Sequence, residues 1–237
     1  MKNFLNISDL DSNELREILD EAKKRKSNRI NLNKSAFDQD KPMEGKSMIM
    51  IFEKPSTRTR ISFDIAVKQL GGSSIFLNPE GIHYGKGDES IKDTAKVLSE
   101  YADIIMIRTS NHKNLEEFAK HLNIPIINGL SDKSHPCQIM SDIMTFEETK
   151  GSIAGKVISW LGDGNNNMSN SLIEAASKFG FQLKIGCPTK YSPNKKILDW
   201  AKKNKTKILV TKKPEEAVKN SDCIMTDKWV SMNDNVN

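Results

Sequence analysis

Residues 48–60, MIMIFEKPSTRTR, join an apolar run to a cluster of hydroxyl and guanidinium side chains. The run Met48–Phe52 has the length and composition of a buried strand. Pro55 cannot continue a strand ladder, and either Ser56 or Thr57 is a good N-cap for a following helix. A strand, a short polar turn and a helix in this order predict one unit of a parallel α/β fold.

The same succession of apolar run, polar turn and helical pattern recurs from residue 47 onward. Parallel strands are joined by crossover helices, so this repetition predicts an open α/β architecture. Eight apolar runs are predicted to be its strands: Met48–Phe52, Ser74–Leu77, Ile104–Ile107, Ile124–Ile127, Val157–Leu161, Leu183–Ile185, Ile208–Val210 and Cys223–Met225.

The alternation pauses after Ile127, and a helical pattern fills the gap before Val157. We therefore expect two open parallel-sheet α/β domains, residues 1–148 and 149–237, each with its own sheet. A single large sheet is the alternative, because single α/β domains of this length are common. The polar tail SMNDNVN stops just after a strand, where another helix normally follows, so the second domain is expected to be incomplete.

Bulk composition excludes several classes of protein. The 237 residues are 28% charged and 37% hydrophobic, as expected of a soluble globular protein. The net charge of +5 is spread over scattered lysines and aromatics are only 6%, so nucleic-acid binding is not expected. No run approaches the roughly 20 apolar residues of a membrane span, and the N-terminus lacks the apolar core of a signal peptide. A cytoplasmic protein without membrane contact is predicted.

The cysteines, Cys137, Cys187 and Cys223, are odd in number and lack the spacing typical of zinc ligands. No metal site is therefore predicted, and a reducing compartment is the simpler interpretation.

The strongest candidate for chemistry is the turn that contains Ser56, Thr57, Arg58 and Thr59. A helix start with free N–H groups, hydroxyls and guanidinium groups is an anion receptor suited to phosphate. A P-loop reaches the same end with glycines, which this turn lacks. The alternative is a well-capped helix with surface arginines.

A second candidate is His135-Pro136-Cys137-Gln138, which opens another predicted helix. His135 and Gln138 lie one turn apart, so both can point at a ligand carbonyl with the positive end of the helix dipole behind them. Arg108 ends another strand, and ligands of open α/β sheets gather at the carboxyl ends of strands. Taken alone, a capping loop and a structural arginine explain these residues as well.

The second half carries LGDGNNNM, residues 161–168, between a strand and a helix. The GxGxxG spacing of a dinucleotide-binding unit fails there, which demotes an NAD(P)-dependent oxidoreductase. Asparagines such as Asn166 instead offer neutral hydrogen-bonding groups to an amino-acid carboxylate. Asp227 follows another strand and can pair with an ammonium group, with Ser231 orienting the rest of a zwitterion. The alternative for Asp227 is an ordinary acidic loop residue.

Taken in order, FEKPSTRTR, HPCQ, GDGNNN and DKWVSM resemble the transcarbamylase family, and within it the ornithine carbamoyltransferases. The match covers nearly the whole chain. The resemblance implies carbamoyl transfer from carbamoyl phosphate to the δ-amine of L-ornithine, giving L-citrulline and phosphate in arginine metabolism. It implies no metal and no organic cofactor, and assembly into a homotrimer or a larger oligomer.

The resemblance also implies a role for each candidate residue. Those expected around carbamoyl phosphate are Ser56, Thr57, Arg58, Thr59, Arg108, His135, Pro136, Cys137 and Gln138. The catalytic ones among them are Arg58, Arg108, His135 and Gln138. Those expected to bind the α-carboxylate and α-amino group of ornithine are Asn166, Asp227, Ser231 and Met232. His83 is expected in the loop that completes a neighbouring subunit's site in the family's trimers.

Two departures from the family pattern are visible. Asn233 replaces the glycine that follows the family's Ser-Met pair, and the chain stops before the family's His-Cys-Leu-Pro segment and final helix. A C-terminally truncated chain is therefore expected. The alternative to a working enzyme is an impaired relative that binds carbamoyl phosphate or joins an oligomer without turnover.

Overall fold

The computed structural model describes residues 2–78 and 89–227. Within these ranges the chain forms two four-stranded sheets, and every paired strand runs parallel to its neighbour. The predicted α/β class with two parallel sheets is confirmed, and the alternative of a single large sheet is wrong. No helix in the described ranges is both long enough and apolar enough to cross a membrane.

The first compact unit comprises Met1–Leu5 and Glu17–Ser131. Its elements after the long first helix, α1 (Ser12–Asn28), are β1 (Ser47–Phe52), α2 (Thr57–Gln69), β2 (Ser73–Leu77), α3 (Ile91–Tyr101), β3 (Ile104–Arg108), α4 (His112–His121) and β4 (Ile126–Leu130). The strand order is β2-β1-β3-β4. The central strands β1 and β3 therefore present their carboxyl ends side by side.

The second compact unit comprises Asn6–Arg16 and Asp132–Asn237. Its elements are α5 (Pro136–Lys150), β5 (Val157–Leu161), α6 (Asn167–Phe179), β6 (Gln182–Gly186), α7 (Lys195–Lys203), β7 (Ile208–Thr211), α8 (Pro214–Val218) and β8 (Cys223–Thr226). The strand order is β7-β6-β5-β8. The domain boundary expected between residues 148 and 149 stays a prediction.

All eight predicted strands are present, but β4 was predicted too early in the chain. It was expected at Ile124–Ile127 and lies at Ile126–Leu130, because an apolar-run criterion stops at Asn128. The Asn128 side chain is fully buried and its Nδ2 donates to the Leu5 carbonyl oxygen at 2.9 Å. A buried polar group that finds a partner of this kind can occupy the middle of a strand.

Alternation along β1 explains why its sheet is covered on both faces. Ile49 and Ile51 pack in one cluster with residues of α3 and α4, whereas Met48, Met50 and Phe52 pack in another with Val67 of α2. Successive strand residues point to opposite faces, so an uninterrupted apolar strand requires cover on both. Polar function is thereby confined to the ends of the strands.

A buried carboxylate fastens the N-terminal segment to α6 in the second unit. Glu174 is 6% exposed, and its Oε2 accepts a hydrogen bond from the Ser8 backbone N–H at 3.0 Å. Burial raises the pKa of Glu174 above its usual range, the bonds from Ser8 oppose the rise, and the charge of Asp9 adds to it. The ionised form is therefore the costly one in the folded protein.

We predict that Glu174→Gln stabilises the protein at pH 7, because the amide keeps an oxygen for the Ser8 N–H and buries no charge. The folded pKa of Glu174 lies above the unfolded value of about 4.3. The contribution of Glu174 to stability therefore falls as the pH rises from about 4.3 through the folded pKa. The advantage of the variant should thus vanish near pH 4. Chemical unfolding at several pH values measures this, and a variant that is less stable at pH 7 would contradict it.

Candidate functional site

The first part of the site is the start of α2. Ser56 occupies the N-cap position with extended backbone angles, φ −153° and ψ 112°, but its hydroxyl makes no capping hydrogen bond. The N-cap position predicted from the sequence is confirmed, whereas the capping bond itself is absent. The N–H groups at the start of a helix need partners from outside it, and an anion can supply them.

Arg108 lies beside this helix start because β3 pairs with β1 and places Arg108 opposite Phe52. One guanidinium nitrogen of Arg108 donates to the Thr59 hydroxyl oxygen at 3.0 Å. The Nε atom of Arg108 is buried, and it has no hydrogen-bond partner among the described residues. The structure thus brings the predicted site residues Arg108 and Thr59 together. The Nε donor of Arg108 is the group that a ligand could still engage.

Like charges meet at this point of the first unit. Burial is the main cause that lowers the pKa of Arg108, and the positive charge of Arg58 lowers it further. Within the described ranges Arg108 forms no ion pair with a carboxylate. Arginine side chains carry a positive charge in proteins. Their mutual repulsion is relieved when an anion binds, so the arrangement suits a dianionic ligand.

Glu53 holds the ends of β1 and β3 together, and the sequence reasoning missed it. Its carboxylate accepts hydrogen bonds from the Thr109 hydroxyl and from the Ser110 N–H, the latter at 3.3 Å. Its own N–H donates to the Arg108 carbonyl oxygen at 2.9 Å. The position of Glu53 directly after a strand was a sequence signal for such a role. Its partners, Thr109 and Ser110, are too distant in sequence to be recognised from that signal.

Arg60 differs from the receptor expected at residues 56–60. Its guanidinium lies over the Phe76 ring, 3.7 Å from the centroid, in a cation–π contact with β2. Arg60 is exposed like Arg58, but its guanidinium is held against the ring of β2. Arg58 lies in the first turn of α2, and its charge acts on Arg108, which makes it the better candidate for a ligand.

In the second unit, the HPCQ segment opens α5 as predicted. His135 is the N-cap residue and Pro136 occupies the first turn, where its missing N–H costs nothing. The His135 N–H donates to the Ser171 hydroxyl at 2.9 Å, and Ser134 shares a hydrogen bond with the same hydroxyl at 3.0 Å. The segment is therefore anchored to α6 through Ser171.

Cys137 and Gln138 have different environments on this first turn. Burial of the Cys137 thiol raises its pKa to about 12, although the residue as a whole is partly exposed. A thiol that stays protonated at neutral pH is not a nucleophile. Gln138 is exposed, and its Nε2 donates to Asp142 Oδ1 at 2.8 Å.

Asn166 and Asp227 follow β5 and β8, which pair through Leu161 and Thr226 at their carboxyl ends. Asn166 is the N-cap of α6, and its Oδ1 accepts from the Ser169 N–H at 2.8 Å. The cap uses the amide oxygen, so the Nδ2 donor is the end suited to a carboxylate. Asp227 is exposed just past its strand.

Three predicted site residues, His83, Ser231 and Met232, lie outside the described residues, and their roles stay predictions. The described part of the chain contains no group of three or more His, Cys, Asp or Glu side chains that could hold a metal ion.

Two family models match the chain. The aspartate/ornithine carbamoyltransferase carbamoyl-P binding domain matches residues 2–148. The Asp/Orn binding domain of the same family matches residues 154–237. Together they cover nearly all of the sequence.

Similar proteins and structures carry the same family name. The ornithine carbamoyltransferase of Rhizobium meliloti is 47% identical over 232 residues, which are 98% of this chain and 74% of that protein. The one from Rhodopseudomonas palustris is 48% identical over 98% of this chain and 73% of its own length. The structure of the Pyrococcus furiosus ornithine carbamoyltransferase superposes with a TM-score of 0.89 at 41% identity, covering 98% of this chain and 73% of that one. The Thermus thermophilus structure has a TM-score of 0.85 at 33% identity, with 97% and 75% covered.

We predict that Thr59→Val weakens the binding of inorganic phosphate about tenfold. The substitution removes the hydroxyl that holds Arg108, and a hydrogen bond to a charged group contributes about 1.5–3 kcal/mol. Titration calorimetry with phosphate measures the effect. Ser62→Ala, which removes an exposed hydroxyl one turn further along α2, is the control. Equal affinities in both variants would contradict a role for the Arg108–Thr59 contact.

Proposed function

The chain belongs to the aspartate/ornithine carbamoyltransferase family, and from this premise we propose that it transfers the carbamoyl group of carbamoyl phosphate to the δ-amine of L-ornithine. The products are L-citrulline and phosphate, a step of arginine metabolism, and we propose that it occurs in the cytoplasm. The oxidoreductase alternative has no support in these family matches.

The observation that carries the proposal is the guanidinium pair at the start of α2. Arg108 is partly buried, is held by the neutral hydroxyl of Thr59 and lies near the charge of Arg58. A protein that keeps two like charges together gains stability from a bound anion. The phosphate of carbamoyl phosphate is a small dianion of the kind that such a receptor binds best.

We assign the residues of this receptor to the first substrate. Ser56, Thr57, Arg58 and Thr59 bind the phosphate through first-turn N–H groups, hydroxyls and a guanidinium. Arg108 and His135 bind the carbonyl oxygen of the carbamoyl group, and the HPCQ backbone and Gln138 bind its remaining atoms. The N–H, hydroxyl, guanidinium and imidazole groups among them are donors of the kind that stabilise an oxyanion and a departing phosphate.

The reaction needs no chemistry beyond that of the two substrates. The neutral δ-amine attacks the carbonyl carbon, negative charge grows on the carbonyl oxygen, and the C–O bond to phosphate breaks with its electron pair leaving on the phosphate. The departing phosphate accepts the proton that the δ-nitrogen loses, which completes citrulline. The protein supplies positioning and charge stabilisation at the two places where charge develops.

For the second substrate we assign Asn166 and Asp227 together with Ser231 and Met232. The Nδ2 of Asn166 remains available as a donor because its oxygen caps α6. A donor suits the α-carboxylate of ornithine, and the exposed carboxylate of Asp227 suits the α-ammonium group.

We also propose that the chain assembles into a homotrimer. The described part of the first unit exposes large apolar side chains on the edge strand β2 and on the helices α2 and α3: Ile61, Ile75, Val97 and Tyr101. Exposed apolar groups and an edge strand are both typical of surfaces that associate. Assembly would also give the predicted role of His83 in a neighbouring subunit its physical basis.

We predict that Arg58→Ala abolishes detectable carbamoyl-phosphate binding and slows citrulline formation about a hundredfold, equivalent to about 3 kcal/mol of barrier. Arg60→Ala is the matched control, since it removes the same charge from the same helix at a residue committed to Phe76. Calorimetry, a citrulline assay and thermal unfolding of both variants make the measurement.

Unchanged affinity in Arg58→Ala would overturn the phosphate assignment. Binding of carbamoyl phosphate by the unmodified protein without citrulline formation would instead identify the impaired relative that binds without turnover.

We predict that the unmodified protein sediments with three times the 26.7 kDa mass of the chain, and that Ile75→Lys shifts it to the monomer. A lysine on an edge strand opposes association because its charge would have to be buried. Ile224→Lys on β8 of the second unit is the matched control, an exposed isoleucine in a strand at the edge of the other sheet. A monomeric unmodified protein would contradict the proposed assembly.

A further inference from the structure

Gln138 and Asp142 lie four residues apart on α5, so their side chains meet on one face of the helix. Gln138 Nε2 and Asp142 Oδ1 are 2.8 Å apart. Gln138 is exposed and Asp142 is partly buried. The more buried carboxylate is therefore the fixed member of the pair, and the amide is the member that it orients.

The chemistry of the pair decides which end of the amide faces the carboxylate. An ionised carboxylate only accepts hydrogen bonds, whereas a glutamine amide has a donor end and an acceptor end. The NH2 group of Gln138 therefore faces the Asp142 carboxylate. The carbonyl oxygen Oε1 of Gln138 is then left for a ligand, and it has no hydrogen-bond partner among the described residues.

This orientation changes what Gln138 can recognise. The sequence suggested that His135 and Gln138 both polarise a carbonyl oxygen, but an outward Oε1 cannot donate a hydrogen bond. It can accept one from an NH2 group. A carbamoyl group differs from an acyl group of the same size in carrying such an NH2 group, so the fixed amide suits recognition of that feature.

The charges around Asp142 bear on its ability to hold the amide. Burial raises the pKa of Asp142, the hydrogen bond from Gln138 lowers it, and the charge of Asp227 raises it again. The net effect is a raised pKa, so the orientation of the amide rests on the geometry, in which Gln138 Nε2 is the atom that faces the Asp142 carboxyl oxygen.

We propose that Asp142 is a positioning residue, which turns the oxygen of the Gln138 amide toward the carbamoyl NH2 group and so sets the preference for carbamoyl over acetyl phosphate. The inference rests on the proposed function, because it presumes that carbamoyl phosphate is the ligand. The competing explanation is an ordinary hydrogen bond between helix residues four apart, which adds only slightly to the stability of the helix.

The test compares the affinity of the full chain for carbamoyl phosphate with its affinity for acetyl phosphate, which has a methyl group in place of NH2. Taking the ratio cancels effects of charge on the phosphate that the two ligands share. The unmodified protein should favour carbamoyl phosphate roughly tenfold, the discrimination that one hydrogen bond gives.

The affinity ratios of the variants at position 142 should follow an order that is explained only if Asp142 orients the Gln138 amide. Asp142→Glu keeps a group that only accepts hydrogen bonds and should retain most of the ratio. In Asp142→Asn the new side chain can accept or donate a hydrogen bond, so both orientations of the Gln138 amide are allowed. The ratio should then fall roughly twofold. Asp142→Ala leaves the amide free to rotate and should lower it about fivefold, since an unrestrained side chain must be ordered on binding.

Glu148→Gln, an exposed acid in the last turn of the same helix, is the control and should leave the ratio unchanged. If Asp142 served only the stability of the helix, the substitutions would change the free energy of unfolding and the ratio would stay the same in every variant. That result would overturn the inference and leave the proposed function intact. No carbamoyl-phosphate binding by the unmodified protein would overturn both.

Discussion

The proximity of two positive charges at the ends of β1 and β3 is the constraint on which the account depends. Arg108 is partly buried, is bonded to a neutral hydroxyl and lies near Arg58, an arrangement that is stable only if its environment holds it in place. The pairing of Phe52 with Arg108 and the carboxylate of Glu53 provide that support. A sheet that is covered on both faces leaves the strand ends as the place for such charges.

In the second unit, the ligand recognition that we propose depends on which end of each amide already has a partner within the protein. Asn166 commits its oxygen to the cap of α6, and Gln138 commits its NH2 group to Asp142. The remaining ends are a donor at Asn166 and an acceptor at Gln138, which match a carboxylate and an NH2 group respectively. The same residue type can thus serve opposite purposes, because its local partner differs.

The sequence predicted the fold well because strand burial leaves a local pattern of apolar runs. It predicted β4 less well, since Asn128 is a buried polar residue whose partner, Leu5, is distant in sequence. The start of α2 and its neighbour Arg108 were also foreseen. The commitment of Arg60 to Phe76 and the role of Glu53 were not, because each depends on a strand that pairs only in the folded chain.

The central claim is that the first turn of α2 binds the phosphate of carbamoyl phosphate. The most direct measurement is a crystal structure of the chain with a non-hydrolysable phosphonate analogue of that substrate. The account predicts phosphonate oxygens within hydrogen-bonding distance of the first-turn N–H groups of α2 and of the Arg58 and Arg108 guanidiniums. A phosphonate bound elsewhere, with both guanidiniums free of it, would contradict the account.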